Sequence, residues 1–102
     1  MSQNPLSGAE RRRLRTLGQT IRPTVHVGHE GPGVPVYRKL DEELAAHELV
    51  KVRVLPTGEA SAKDIARPLA EATSATIVQV IGHTVLLYRE WPDEADGEVE
   101  AP

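Results

Sequence analysis

The chain opens with a hydrophobic pattern of helical period. Three apolar residues recur on one face at this spacing: Leu14, Leu17 and Ile21. Ser7 and Glu10 have the spacing of a capping box, which favours a helix start just after Ser7. The ring of Pro23 disfavours helical geometry at the preceding residue. The pattern therefore predicts a first helix from Gly8 to Thr20.

Two strands and a second helix follow. Residues 24–27 (TVHV) read as a short strand, and the second helix is predicted over residues 35–48. Three residues of that segment share helical spacing: Tyr37, Leu40 and Leu44. In residues 49–55 valines alternate with Lys51 and Arg53, which is typical of a strand with one face buried and one in water.

The third helix has an ambiguous start. Ser61 is a candidate N-cap, but Pro68 lies seven residues beyond it and would remove an interior hydrogen bond. Either the helix kinks at Pro68, or Asp64 is the true cap and Pro68 lies in the first turn.

Two final strands, residues 76–82 and 84–90, are predicted to form a hairpin with a tight turn at Gly82 and His83. The resulting order is α-β-α-β-α-β-β. Such alternation indicates an α/β fold in which helices pack on a four-stranded mixed sheet.

Charge is distributed unevenly along the 102 residues, whose net charge is −3. All twelve Lys and Arg but only nine of the fifteen Asp and Glu lie in residues 1–89. The pattern predicts an N-terminal extension (1–6), one folded basic domain (7–89) and an acidic, disordered tail (90–102). Basic domains often bind polyanions, although a solvated surface with a solubilising tail would give the same pattern.

Composition excludes several classes of function. The chain has no cysteine, so disulfides, thiolate nucleophiles and cysteine zinc sites are excluded. We expect a soluble cytoplasmic protein, because no segment resembles a signal peptide or a membrane span. His26, His29 and Glu30 are possible metal ligands, but their order matches neither His-Glu-x-x-His nor its inverse, and no third cluster is evident. We therefore expect neither an enzyme nor a bound metal or cofactor.

The first helix carries a candidate phosphate-binding stripe. One line along the helix carries Arg11, Arg15 and Arg22. Arg12 lies beside this line. After Glu10 no acid interrupts them, and Lys51 and Arg53 add positive charge in the same half of the chain. The chain has only three aromatic residues, so any nucleic-acid contact should be mainly to backbone and shape. The alternative is an arginine-rich helix that faces only solvent.

A Gly-x-x-Gly loop, Gly28 to Gly31, lies between the first strand and the second helix. Glycine permits close approach of another backbone, and a helix start can attract an anion. Taken alone, the motif favours an ordinary strand-to-helix turn. Glu30 would repel a phosphate, and Pro32 and Pro35 lack amide donors.

In their order, these pieces resemble a known family. The segments are the first helix with "IRPTVHVG", the loop "GHEG", the helix end with "AHELVKVRV", and "VQVIGHTVLLYR". From Leu6 to Arg89 the chain resembles the CRM domain, in the stand-alone bacterial form of the YhbY family.

The resemblance implies a fold similar to the C-terminal domain of translation initiation factor three. It also implies RNA binding and association with precursors of the large ribosomal subunit. Independently of the resemblance, the oligomeric state stays open, and we favour a monomer. By position the resemblance assigns six residues to RNA contact: Gly28, His29, Glu30 and Gly31, with Lys51 and His83 as weaker candidates.

Two further hypotheses come from charge. The basic surface could receive an acidic protein partner, with no role for RNA. The acidic tail could fold back on the basic surface and compete with RNA.

Overall fold

The computed structural model describes residues 6–56 and 61–91. Their elements are α1 (Gly8–Gly18), β1 (Pro23–Val27), α2 (Val34–His47), β2 (Leu49–Val54), α3 (Ala62–Thr73), β3 (Thr76–Ile81) and β4 (Thr84–Tyr88). The strands form one sheet in the order β1-β2-β4-β3, in which β1 and β2 are parallel and the other pairs antiparallel. The predicted α/β fold with a mixed four-stranded sheet is confirmed.

Helices cover the two faces of the sheet unequally. On one face α2 and α3 bury the main core, which includes the alternating residues Val50, Val52 and Val54. On the other face α1 packs a smaller cluster of Leu14, Val78 and Leu86. Because strand residues alternate between faces, the side chains that separate the buried valines of β2 lie on the α1 side. A single helix covers only part of that face.

The start and the end of α1 differ in the contacts they make. The Ser7 hydroxyl accepts a hydrogen bond from the Glu10 amide, and the Glu10 carboxylate accepts one from the Ser7 amide, so the predicted capping box is confirmed. The helix ends at Gly18 and not at Thr20 as predicted. A Cβ atom at Gly18 would lie 2.5 Å from the Leu86 side chain. Glycine therefore lets the end of α1 approach the sheet closely.

The start of α3 resolves the ambiguity of the sequence. Ser61 is the N-cap: its hydroxyl accepts from the Asp64 amide at 3.2 Å, and the Asp64 carboxylate accepts from the Ser61 amide at 3.3 Å. The alternative in which Asp64 is the cap is wrong. Pro68 lies inside the helix, where it cannot donate to the Asp64 carbonyl.

A side-chain link joins α2 to the edge strand β1. A hydrogen bond from the Thr24 hydroxyl lowers the pKa of Glu43; burial opposes this lowering, and Lys39 and His47 add to it. A lowered carboxylate pKa stabilises the fold above the unfolded-state pKa, and the contribution is lost as the pH falls through the folded-state pKa. The link is therefore fully present at neutral pH.

Two expectations remain outside this description. Residues 1–5 and 92–102 lie outside the described residues, so the proposed domain boundaries and the role of the acidic tail stay predictions. Within the described ranges, each helix is too short or too polar to cross a membrane.

Candidate nucleic-acid interface

The Gly-x-x-Gly segment forms a tight turn between β1 and α2. The Gly31 amide donates to the Gly28 carbonyl at 2.9 Å, which closes a four-residue turn. His29 and Glu30 form its exposed tip. Gly31 has a φ of +86°, where glycine is strongly favoured, whereas Gly28 is not in this region. Only Gly31 is therefore required by the backbone of the turn.

Backbone hydrogen bonds bring this loop and the β3–β4 turn to the same end of the sheet. The Leu55 amide donates to the Val27 carbonyl at 2.8 Å, and the Val54 amide donates to the His83 carbonyl at 2.7 Å. The loop after Val27 and the turn at His83 thus lie on either side of the end of β2. Gly82 has a φ of +58°, consistent with a two-residue hairpin turn.

The open part of the α1 side of the sheet is basic. His26 on β1 pairs in register with Arg53 on β2, and Arg53 pairs with Thr84 on β4. Lys51 lies two residues earlier on β2, hence on the same face. His26 and Arg53 are exposed, and they form a row directly below the glycine loop and the hairpin turn.

The arginines around α1 differ in their surroundings. Arg12 is exposed on the outside of the helix, and Arg15 is half-buried. Arg22 lies in the segment after the helix and lines a groove of about 420 Å³ with Lys51. We call these four residues and the exposed Arg53 of β2 the basic face: Arg12, Arg15, Arg22, Lys51 and Arg53.

Arg11 does not belong to the basic face. Its guanidinium Nη1 donates to the carbonyls of Ile77 and Val78, each at 2.9 Å, and the side chain is half-buried. The two acceptors lie at the irregularity in the pairing of β3 with β4, on the edge of the sheet. The structure therefore gives Arg11 a role in holding α1 against β3, where sequence spacing predicted a phosphate contact.

Charge is segregated between the two sides of the sheet. Seven Lys or Arg and one acid, Glu10, lie on α1, in the turn after it and on β2. The opposite helices, α2 and α3, carry four Lys or Arg and five Asp or Glu. Two of these bases form ion pairs within their own helix, Lys39 with Glu43 and Arg67 with Glu71. The α1 side thus has excess positive charge, while the other side is balanced.

The possible metal ligands do not converge. Among residues 6–56 and 61–91 there is no group of three or more His, Cys, Asp or Glu placed to hold a metal ion. His26 lies on the open sheet face, whereas His29 and Glu30 lie at the tip of the loop. Sequence spacing indicated His26 only as a possible metal ligand. The alternation of buried Val25 and Val27 with Thr24 and His26 is the signal that places it on the basic side.

A family model of the CRS1/YhbY (CRM) domain matches residues 6–89. The chain belongs to the CRM domain family. Among its relatives, it is 33% identical to the "Probable RNA-binding protein YqeI" of Bacillus subtilis, over 95% of this chain and 99% of that protein. It is 31% identical to an "RNA-binding protein" of Haemophilus influenzae, over 95% of each chain.

A solved structure has the same fold. The solution structure of SAV1595 from Staphylococcus aureus superposes with a TM-score of 0.75 at 36% identity. The match covers 88% of this chain and 94% of SAV1595, which was named as a candidate RNA-binding protein. The shared fold therefore extends over most of this chain and nearly all of SAV1595.

Proposed function

We propose that this protein is a non-enzymatic RNA-binding protein that uses its basic face and acts in the cytoplasm on precursors of the large ribosomal subunit. The observation that carries the proposal is the segregation of charge, with seven bases against one acid on the α1 side. Its membership of the CRM family and relatives that are named RNA-binding proteins support RNA as the ligand.

Phosphate contact is the chemistry that this surface offers. Arg15, Lys51 and Arg53 lie on one side of the sheet and have no acid beside them on β2. Guanidinium and ammonium groups bind phosphate oxygens and release counterions, which supplies affinity without reading the sequence. The glycine loop and His83 at the end of the sheet would then contact the same strand of RNA.

Crosslinking in living cells, followed by sequencing of the attached RNA, tests this function. We expect the reads to concentrate in large-subunit ribosomal RNA and its unprocessed flanks. Reads spread over all cellular RNA in proportion to abundance would overturn the ribosomal part of the proposal. Co-sedimentation with ribosomal particles should also be lost after complete nuclease digestion. Co-sedimentation that survives digestion would instead support an acidic protein partner.

Alanine substitutions in the glycine loop separate its folding role from its binding role. Gly31→Ala should lower the free energy of unfolding by about 1 kcal/mol, because φ is +86°. At Gly28 a Cβ atom would meet nothing within 4 Å, so Gly28→Ala should change stability by less than about 0.5 kcal/mol. If RNA approaches the loop, Gly28→Ala should still weaken binding. Urea denaturation and RNA titration of both variants measure the two effects, and unchanged affinity of Gly28→Ala would place the RNA elsewhere.

Replacement of the loop residue Glu30 by lysine should strengthen RNA binding. Glu30 is exposed at the tip of the turn, so Glu30→Lys replaces a repulsion with an attraction at little structural cost. At about 0.5 kcal/mol for each change, affinity should rise about fivefold. The matched control is Glu42→Lys on α2, which makes the same charge change at an exposed position on the opposite side. Equal effects of both variants would show that only net charge matters.

A further inference from the structure

A small cavity opens on the α1 side of the sheet, between the end of α1 and strands β2, β3 and β4. Its volume is about 170 Å³. Its polar lining comes from Gln19, Gln79, Thr84 and Lys51, and its apolar lining from Ile81 and Leu86. It can admit one ring system, and it is too small for a drug-sized ligand.

The local fold places two carboxamides at this cavity. Gln19 follows the last turn of α1, which ends at Gly18. Gln79 follows the irregularity in β3 and pairs in register with Leu86, whose other neighbour across the sheet is Lys51. Neither carboxamide makes a hydrogen bond to another described residue. Each therefore has a free donor and a free acceptor for a ligand.

The apolar lining offers a surface for a flat ring. Ile81 is 61% exposed, whereas the other residues of β3 are half-buried or buried. Leu86 is 3% exposed and closes the bottom of the cavity against α1. An aliphatic side chain can contact the face of a planar ring where no aromatic residue is available. Amide groups around an apolar floor are the usual composition of a site that binds a small polar heterocycle.

We propose that this cavity binds one unpaired RNA base, and that Gln19 and Gln79 select it by hydrogen bonding. The proposal rests on the RNA-binding function above and adds base preference to it. Lys51 lines the cavity and belongs to the basic face, so a strand held there by its phosphates brings a base to this opening. Gln carboxamides hydrogen-bond base edges, with a bidentate pairing to adenine as the best-known case. Unpaired bases are the usual targets of sequence-specific RNA recognition.

The test compares three single-stranded RNA decamers, of A, C and U, by fluorescence anisotropy. The variant is Gln19→Met with Gln79→Met, which keeps side-chain length and removes the hydrogen-bonding groups. Thr16→Val on the outer side of α1 is the matched control, since Thr16 is exposed and does not line the cavity. Thermal unfolding confirms that each variant is folded.

We expect the unmodified protein to prefer one decamer over another by about fivefold or more, from one base selected by hydrogen bonds. The double variant should reduce this preference to less than about twofold and leave the salt dependence of binding unchanged. Thr16→Val should show the same preference as the unmodified protein. Equal binding of all three decamers by the unmodified protein, with steep salt dependence, would overturn the base site and leave RNA binding intact. A preference that survives in the double variant would also overturn it. No binding to any RNA at low salt would overturn the proposed function itself, and the base site with it.

Discussion

Replacement of both Lys51 and Arg53 by glutamate is expected to weaken RNA binding by about 30-fold or more at low salt. The two residues lie on the same face of β2, and Arg53 is exposed there. The change removes two attractions and adds two repulsions, each worth about 0.5–1 kcal/mol for exposed charges. The slope of log affinity against log salt should also become less negative by about 2, because two phosphate contacts are lost.

The control for this variant makes the same charge change on the opposite side of the sheet. Lys63→Glu with Arg67→Glu alters two exposed residues of α3, which packs on the face remote from α1. We expect this variant to lose less than about threefold in affinity, through net charge alone. Similar losses in the two variants would show that RNA does not bind preferentially to the α1 side, and this would contradict RNA binding through the basic face.

Arg89→Met is expected to lower the free energy of unfolding by about 2–3 kcal/mol. The Arg89 guanidinium donates to the Asp41 carboxylate at 2.6 Å, to the Thr73 carbonyl at 2.9 Å and to the Asp41 carbonyl at 3.2 Å. It therefore ties the end of β4 to α2 and to the last residue of α3. Its side chain is only 23% exposed, so these bonds are partly shielded from water.

An exposed ion pair provides the comparison for Arg89. Arg67 pairs with Glu71 one turn away on α3, with side chains 83% and 71% exposed. Arg67→Met should therefore cost no more than about 0.5 kcal/mol. Urea denaturation of the three proteins measures both values. If Arg89→Met unfolds at the same urea concentration as Arg67→Met, the three bonds of Arg89 do not hold the helices to the sheet.

Much of the fold could be predicted because its signals are local. The alternation of valines with Lys51 and Arg53 predicted β2, and the glycine at position 82 predicted the hairpin turn. The capping box of Ser7 and Glu10 also depends only on residues three apart. Such features are stabilised by near neighbours, so sequence spacing is sufficient to find them.

Other features depend on contacts between distant segments. The close packing of Gly18 at the end of α1 depends on Leu86, which lies far along the chain. Arg11 reaches carbonyls 66 and 67 residues away, so its spacing from Arg15 could not reveal that contact. Spacing showed that Lys51 and Arg53 face water, but the packing of α1 was needed to show which side they share.

The salt dependence of RNA affinity tests the central claim most directly. The unmodified protein should be titrated with a structured fragment of large-subunit ribosomal RNA at several salt concentrations. About four to six phosphate contacts on the basic face and its loop predict a slope of log affinity against log salt of about −3 to −5. A slope near zero, or no binding at low salt, would contradict RNA binding through phosphate contacts on this face.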